Sequence, residues 1–285
     1  MRSNMLAINT SRLLGLILAL LLAGCGDETP AEGELTLLTY NVAGLPASLS
    51  DEDPETNIPL MSPLLNAYEL VLVQEDFWYH AELTQDIAHP YRSEPMVENP
   101  TLTDLGDGLN RFSRLPFGPL VRVSWAQCNG LFDCGSDCMT QKGFSVAPVQ
   151  LAEGVSLLIY NLHLDASDCE ADFEAREAQR QQLVADLEAR AGDEAVIVTG
   201  DSNLKLHRPR DVVMLDALLA DTGMEIACRA LACPEETHDR VMFRSSESLE
   251  LTPVEWDHPG EFVDAQGEDL SDHEPVMIRF SWRVP

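Results

Sequence analysis

Apolar, β-branched runs alternate with turn signals along most of this 285-residue chain. Their length and alternation predict strands at Leu35–Val42, Leu70–Gln74, Leu120–Trp125 and Phe144–Leu151. Four more follow at Ser156–Leu162, Ala195–Thr199, Arg240–Arg244 and Pro275–Ser281. Two stretches change period. Between Ala171 and Ala191, Phe173, Leu183 and Leu187 fall on one stripe with charge elsewhere, which is the pattern of an amphipathic helix. A second helix is predicted over Pro209–Leu219, with Pro209 in the first turn, where a missing N–H costs little. Many strands with a few helices between them imply an α/β fold layered around sheets. No Gly/Ser-rich linker, repeat or low-complexity block divides the chain, so one domain is expected.

The start of the chain has a different grammar. Arg2 and Arg12 are followed by an apolar run, Leu13–Ala23, shorter than the roughly 20 residues a bilayer requires. The run ends in Leu22-Ala23-Gly24-Cys25, which resembles the lipobox of bacterial lipoproteins. That resemblance implies a leader over 1–24, a lipid on Cys25 and a short polar tether over 25–34. The folded domain would then occupy 35–285, on a protein exported to the periplasmic or extracellular face of the cell envelope.

Export changes how the remaining six cysteines read: Cys128, Cys134, Cys138, Cys169, Cys228 and Cys233. An even number in an exported chain suggests up to three disulfides, with Cys228–Cys233 the first pair to expect. A zinc site at Cys128–Cys138 is the competing reading, but the spacing is irregular and no histidine lies among the three. Charge narrows the partners. The formal net charge is −30, and loss of Arg2 and Arg12 with the leader moves it to −32. Only two lysines are present, Lys142 and Lys205. Such a surface repels nucleic-acid phosphates, so a nucleic-acid partner is disfavoured.

Candidate chemistry sits where the strands stop. Asn41, Glu75, His163, Asp201 and Asn203 each follow or end an apolar run, and Asp272 and His273 stand at the opening of the last one. Singly, such residues are commonly turn or cap formers. Together they offer oxygen ligands for a hard cation and an imidazole for a water nucleophile. Their ordered stretches, TYNV (39–42), VQE (73–75), NLHLDA (161–166), GDSN (200–203), HDRV (238–241) and SDHEP (271–275), resemble the endonuclease/exonuclease/phosphatase, or deoxyribonuclease-I-like, superfamily.

The resemblance implies a four-layer α-β-β-α sandwich with two central, mostly antiparallel sheets and the site at one end. It implies Glu75 as the main ligand of Mg²⁺ or Mn²⁺, helped by Asn41 and Asp272. His273 would be the general base and Asp239 would fix its tautomer. Asp201 and Asn203 would hold the nucleophile and a phosphate oxygen, and His163 would serve the leaving oxygen.

Two further stretches bear on substrate. Gly108-Leu109-Asn110-Arg111-Phe112-Ser113-Arg114-Leu115-Pro116 is similar to a segment common in phosphodiesterases of this group. Asp137, four residues, then Lys142-Gly143 resembles neutral sphingomyelinases, where the lysine approaches the site and pairs with the aspartate as a switch. The long aromatic hairpin of secreted bacterial sphingomyelinases is missing. The expected activity is hydrolysis of phospholipid head groups, with the lipid on Cys25 holding the enzyme at a membrane. A secreted nuclease is the alternative, and a non-catalytic surface-binding lipoprotein a weaker one, since none of Glu75, Asp201, His163 or His273 is lost.

Overall fold

A computed structural model describes residues 31–285, apart from positions 47, 50, 51, 132, 133 and 235. The leader and Cys25 therefore lie outside the described residues. The first elements in chain order are β1 (Glu32–Asn41), α1 (Pro54–Leu64), β2 (Leu70–Gln74), α2 (His80–Thr84), β3 (Tyr91–Arg92), β4 (Asn110–Ser113) and β5 (Val121–Ser124). Then come β6 (Gly143–Ala152), β7 (Val155–His163), α3 (Glu170–Arg190), β8 (Val196–Asp201) and α4 (Pro209–Thr222). The last are β9 (Glu225–Ile226), α5 (Ala227–Ala230), β10 (Asp239–Arg244), β11 (Glu250–Asp257) and β12 (Val276–Arg283).

The strands form two six-stranded sheets, ordered β11-β12-β1-β2-β4-β3 and β5-β6-β7-β8-β10-β9. Within these sheets only β1/β2 and β7/β8 run parallel, so both are mostly antiparallel, as expected. Alternating side chains divide the interior into three layers. Leu35, Leu37, Leu70 and Leu72 of one sheet face Leu157, Ile159, Ala195 and Ile197 of the other. Their neighbours Leu38, Tyr40, Val71 and Val73 point the opposite way, onto Ile58, Met61 and Leu65 at α1 and just beyond it. Tyr160, Leu162, Val196 and Val198 cover Leu183, Leu187, Leu215 and Leu218 of α3 and α4. The result is the four-layer α-β-β-α sandwich.

Several expectations need correction. Strand β1 begins at Glu32 rather than Leu35, because Glu32–Glu34 already pair with Ser281–Arg283 of β12. Helix α1 was not predicted: Pro54, Pro59 and Pro63 disguise it, although Ile58 and Met61 bury its inner side. Strand β11 was hidden by Pro253, which sits at a register shift on a strand that pairs only with β12. Phe173 does not join the core stripe of α3. It is half-buried between the guanidinium groups of Arg176 and Arg210, 4.7 and 4.3 Å from its ring centre. Asp272 and His273 precede β12, which starts at Val276, rather than opening it.

All six described cysteines are paired, as Cys128–Cys138, Cys134–Cys169 and Cys228–Cys233. The zinc alternative at Cys128–Cys138 is thereby replaced, and the expected Cys228–Cys233 bridge is present. Two of the bridges tie the 128–138 loop to itself and to Cys169, the residue that caps α3.

Gly200 controls the approach of β7 to β8. Its φ is +127°, and a Cβ there would collide with the carbonyl oxygen of Leu162. Gly200→Ala should therefore lower stability by roughly 2–4 kcal/mol, combining backbone strain with the clash. Urea denaturation of the two proteins measures this.

Candidate active site

The face that each strand turns toward the other sheet is apolar at one end and polar at the other. Along β1 it reads Leu35, Leu37, Thr39, Asn41, and along β2 Leu70, Leu72, Gln74. Along β7 it reads Leu157, Ile159, Asn161, His163, and along β8 Ala195, Ile197, Thr199, Asp201. Strand β10 runs the other way and enters with Asp239 ahead of Val241 and Phe243. Register places His163 beside Asp201 and Asp201 beside Asp239, so three functional candidates form a row across one sheet.

A buried polar tier separates this row from the apolar core. Gln74 Nε2 donates to Thr39 Oγ1 at 3.1 Å in its own sheet and to Asn161 Oδ1 at 2.7 Å in the other. Asn161 Nδ2 returns a bond to the Val73 carbonyl at 2.9 Å. Arg111, fully buried in β4, donates across the gap to Ser145 Oγ at 3.2 Å and to the Ser145 carbonyl at 3.1 Å. Burial and nearby Arg122 pull its guanidinium down to about 9. The Gly108–Pro116 segment thus does structural work here, joining the sheets through Arg111 and anchoring Asp76 through Asn110 (2.8 Å).

Above this tier the candidates converge. Asn41 Nδ2 donates to Glu75 Oε1 at 3.1 Å and Asp201 Oδ2 at 3.3 Å, and lies 3.4 Å from His273 Nε2. His163 Nε2 is 3.1 Å from Asp201 Oδ2 and 3.9 Å from Glu75 Oε1. His273 Nδ1 is 2.7 Å from Asp239 Oδ2, and its Nε2 faces Asp201 Oδ2 at 3.9 Å. Asn203 packs against Asp201, its backbone N–H donating to Oδ1 at 2.9 Å, while its side-chain amide donates to the Leu164 carbonyl. Glu75 and Asn203 both adopt left-handed backbone conformations, with φ of +57° and +49°. Such strain in non-glycine residues concentrates at functional sites.

Asp272 is the exception. It is exposed, and its hydrogen-bond contact is with Ser271 Oγ at 3.5 Å rather than with Glu75 or Asn41. Its charge is still felt at His273.

Lys142 is buried, with Nζ 2.5 Å from Asp137 Oδ1. Asp137 is held in turn by the backbone N–H of Ala166 at 2.9 Å. Burial pulls the ammonium down, but Asp137, Glu75 and Asp201 outweigh it and hold Lys142 above its ordinary value. The Lys-Gly order has a steric reason, since a Cβ at Gly143 would strike the Val123 carbonyl. Beside Glu75 and Lys142 opens a cleft of about 420 Å³ whose apolar lining includes Leu45, Leu49, Phe77, Leu105 and Met139.

The imidazoles and carboxylates shift one another. For His273, burial lowers the pKa, but the Asp239 charge and hydrogen bond, with Asp201 and Asp272, raise it to about 10. Burial would raise Asp201, yet His163, His273 and His238 hold its carboxyl well below the usual range. Reasoning from sequence missed Gln74 and Asn161, although both lie in register with the site residues on the same strand faces. It also assigned no role to His80, whose Nδ1 meets Asp76 Oδ2 at 2.6 Å directly behind Glu75.

No model of a protein family matches the sequence. Among curated proteins, the chain is 29% identical over 283 residues to a sphingomyelinase of Mycobacterium bovis, covering 90% of this chain and 55% of the relative. The chain thus spans about half the length of the curated relatives it matches. Sphingomyelinase C from Streptomyces griseocarneus superposes with a TM-score of 0.62 at 22% identity, over 87% of this chain and 99% of that one. A mutant of the Staphylococcus aureus beta toxin, solved with bound magnesium ions, superposes with a TM-score of 0.61 at 18% identity, over 86% and 99%. The chain has the two-sheet α/β sandwich fold that these solved proteins share.

Proposed function

We propose that this chain is a divalent-metal-dependent phosphodiesterase that hydrolyses phospholipid head groups of the sphingomyelin type. The observation that carries the reading is His273, backed by Asp239, facing Asp201, Asn41 and Glu75 at the edge where Lys142 is also buried. The 29% identity to sphingomyelinases supports the same choice.

The donor set suits a hard cation. Glu75 and Asp201 both approach a single Asn41 amide nitrogen, so two carboxylates converge on an oxygen-rich space. Glu75 would hold Mg²⁺ or Mn²⁺, joined by Asn41 once its amide turns to present Oδ1. When bound, such an ion neutralises charge that builds on phosphoryl oxygens.

The chain's own residues divide the remaining work. A cation held by Glu75 would favour the neutral ring of His273 over the imidazolium. Its Nδ1–H, donated to Asp239, then leaves Nε2 open to take the proton of the attacking water. Asp201 orients that water, with Asn203 bracing Asp201 from behind. His163 reaches the leaving oxygen through Nε2. Lys142 places one compact positive charge beside the phosphate, and Asp137 determines where that charge stands. The apolar cleft beside Glu75 suits the hydrocarbon adjoining a lipid phosphate. A net charge of −30 disfavours a polyanionic nucleic acid but tolerates a substrate with one phosphodiester. A lipid on Cys25 would hold the enzyme near such a surface.

Glu75→Gln should abolish Mg²⁺ binding and turnover together while circular dichroism stays unchanged. His273→Ala should cost about 10²–10⁴-fold in turnover. Near-normal rates from either variant contradict these roles.

Without metal, His273 should titrate near pH 10, because its neighbours favour the imidazolium. The stabilisation this provides is fully present below about 6.5 and is lost as pH rises through about 10. Asp239→Asn should move the titration to lower pH, read from imidazole NMR shifts in chelator-treated protein. An unmoved titration would mean that Asp239 does not tune the base.

Lys142→Ala should reduce phosphocholine release from sphingomyelin vesicles strongly without changing Mg²⁺ affinity. Lys142→Arg should restore little, since a planar guanidinium does not replace a compact ammonium. The comparison at equal enzyme and Mg²⁺ is plasmid nicking. Efficient nicking without phosphocholine release, indifferent to Lys142→Ala, would favour a nuclease instead.

A further inference from the structure

His238 takes no part in the chemistry above, yet it stands against the centre of it. It directly precedes Asp239, and its ring meets the His273 ring edge-on, with centroids 5.0 Å apart and planes at 60°. His238 Nε2 lies 4.0 Å from Asp239 Oδ2, and the same oxygen is 2.7 Å from His273 Nδ1. One donor atom from each of the three residues falls within 4.8 Å of the others. The second oxygen of Asp239 is buried and has no hydrogen-bond partner among the described residues, although the residue is only 4% exposed. Buried carboxylate oxygens are ordinarily satisfied, so an unpaired one marks a place for a further ligand.

We infer that His238, Asp239 and His273 form a second metal site, selective for a borderline transition ion such as Zn²⁺ and distinct from the oxygen-rich site at Glu75. Two imidazoles and one carboxylate suit Zn²⁺ far better than Mg²⁺. Tetrahedral Zn²⁺ with bonds of about 2.0–2.1 Å sets its donors about 3.3 Å apart. The 2.7 and 4.0 Å separations bracket that value and all three donor atoms lie within 4.8 Å of one another, so modest side-chain adjustment would close the site around an ion. Solvent would supply the fourth ligand.

The backbone already fixes the newest member. The His238 carbonyl accepts the Ser202 N–H at 3.0 Å and the Ser202 hydroxyl at 2.6 Å, which ties His238 to the residue after Asp201. Zn²⁺ at Nδ1 displaces the proton that His273 shares with Asp239, and this proton leaves to solvent. The neutral ring must then carry its remaining hydrogen on Nε2. That is the wrong tautomer for a base acting through Nε2, so Zn²⁺ would silence the enzyme while leaving the Glu75 ion in place. This last step rests on the reading of His273 as the base, whereas the binding itself does not.

Isothermal titration of Zn²⁺ into chelator-treated mature protein tests the site. One ion per chain should bind, and both His238→Ala and His238→Gln should weaken it by roughly tenfold or more. Glu75→Gln should leave Zn²⁺ binding intact while removing that of Mg²⁺. Circular dichroism establishes that each variant is folded, and Co²⁺ in place of Zn²⁺ should give the visible bands of a tetrahedral site. Equal Zn²⁺ affinity in wild type and both His238 variants overturns the inference. So does loss of Zn²⁺ binding in Glu75→Gln, or the absence of binding altogether. Zn²⁺ that binds through His238 without inhibiting in the presence of Mg²⁺ would leave the site standing and count against His273 as the base.

Discussion

Everything at the reactive end of this molecule depends on the hydrogen-bonded tier between the two sheets. Gln74 joins Thr39 in one sheet to Asn161 in the other, and Arg111 bridges the same gap farther along. Buried polar groups are costly unless paired, so these contacts permit few alternative registers. A one-residue slip in β1, β2, β7 or β8 would turn the tier and the site residues out of the inter-sheet space together. The tier therefore specifies the alignment of Asn41, His163 and Asp201 above it, and the apolar layer below supplies the driving force for burying both.

Charge completes the arrangement. Two carboxylates, Glu75 and Asp201, share the site with His163 and His273, and Asp239 lies directly behind His273. None of the three carboxylates has an arginine as its counter-ion among the described residues. The ammonium of Lys142 is bound to Asp137 at the margin. Arginines are used elsewhere: Arg240 is buried against Ser202 and Glu236, and Arg176 against Asp211. The site thus keeps an excess of negative potential without a permanent cation at its centre, a condition suited to capturing a mobile one.

Most of this was legible in the chain because its strands are short, apolar and bounded by polar residues. The ordered polar ends identified Asn41, Glu75, His163, Asp201 and His273, and the structure brings those five together. Residues whose importance lies in partnership were harder to see. Gln74 and Asn161 read as strand interruptions until both sheets are in hand, because their meaning lies in a bond between positions 87 apart. His238 carried no signal beyond its place in a motif. Asp272 was overweighted, since adjacency to His273 does not bring its side chain toward Glu75. Two of the unpredicted elements have local causes: prolines mask the helical period of α1, and Pro253 with flanking charge masks β11.

The paired cysteines around Asp137 have a consequence for how the site keeps time. Among the described residues of the 126–141 loop, Asp137 alone is buried, so the loop has almost no packing of its own. Cross-links closing spans of 10 and 35 residues replace that packing, each removing conformational freedom worth about 2–4 kcal/mol from the unfolded chain. The lysine's partner is therefore anchored by the oxidation state of its surroundings, and the exposed surface around it can vary in sequence without moving the charge.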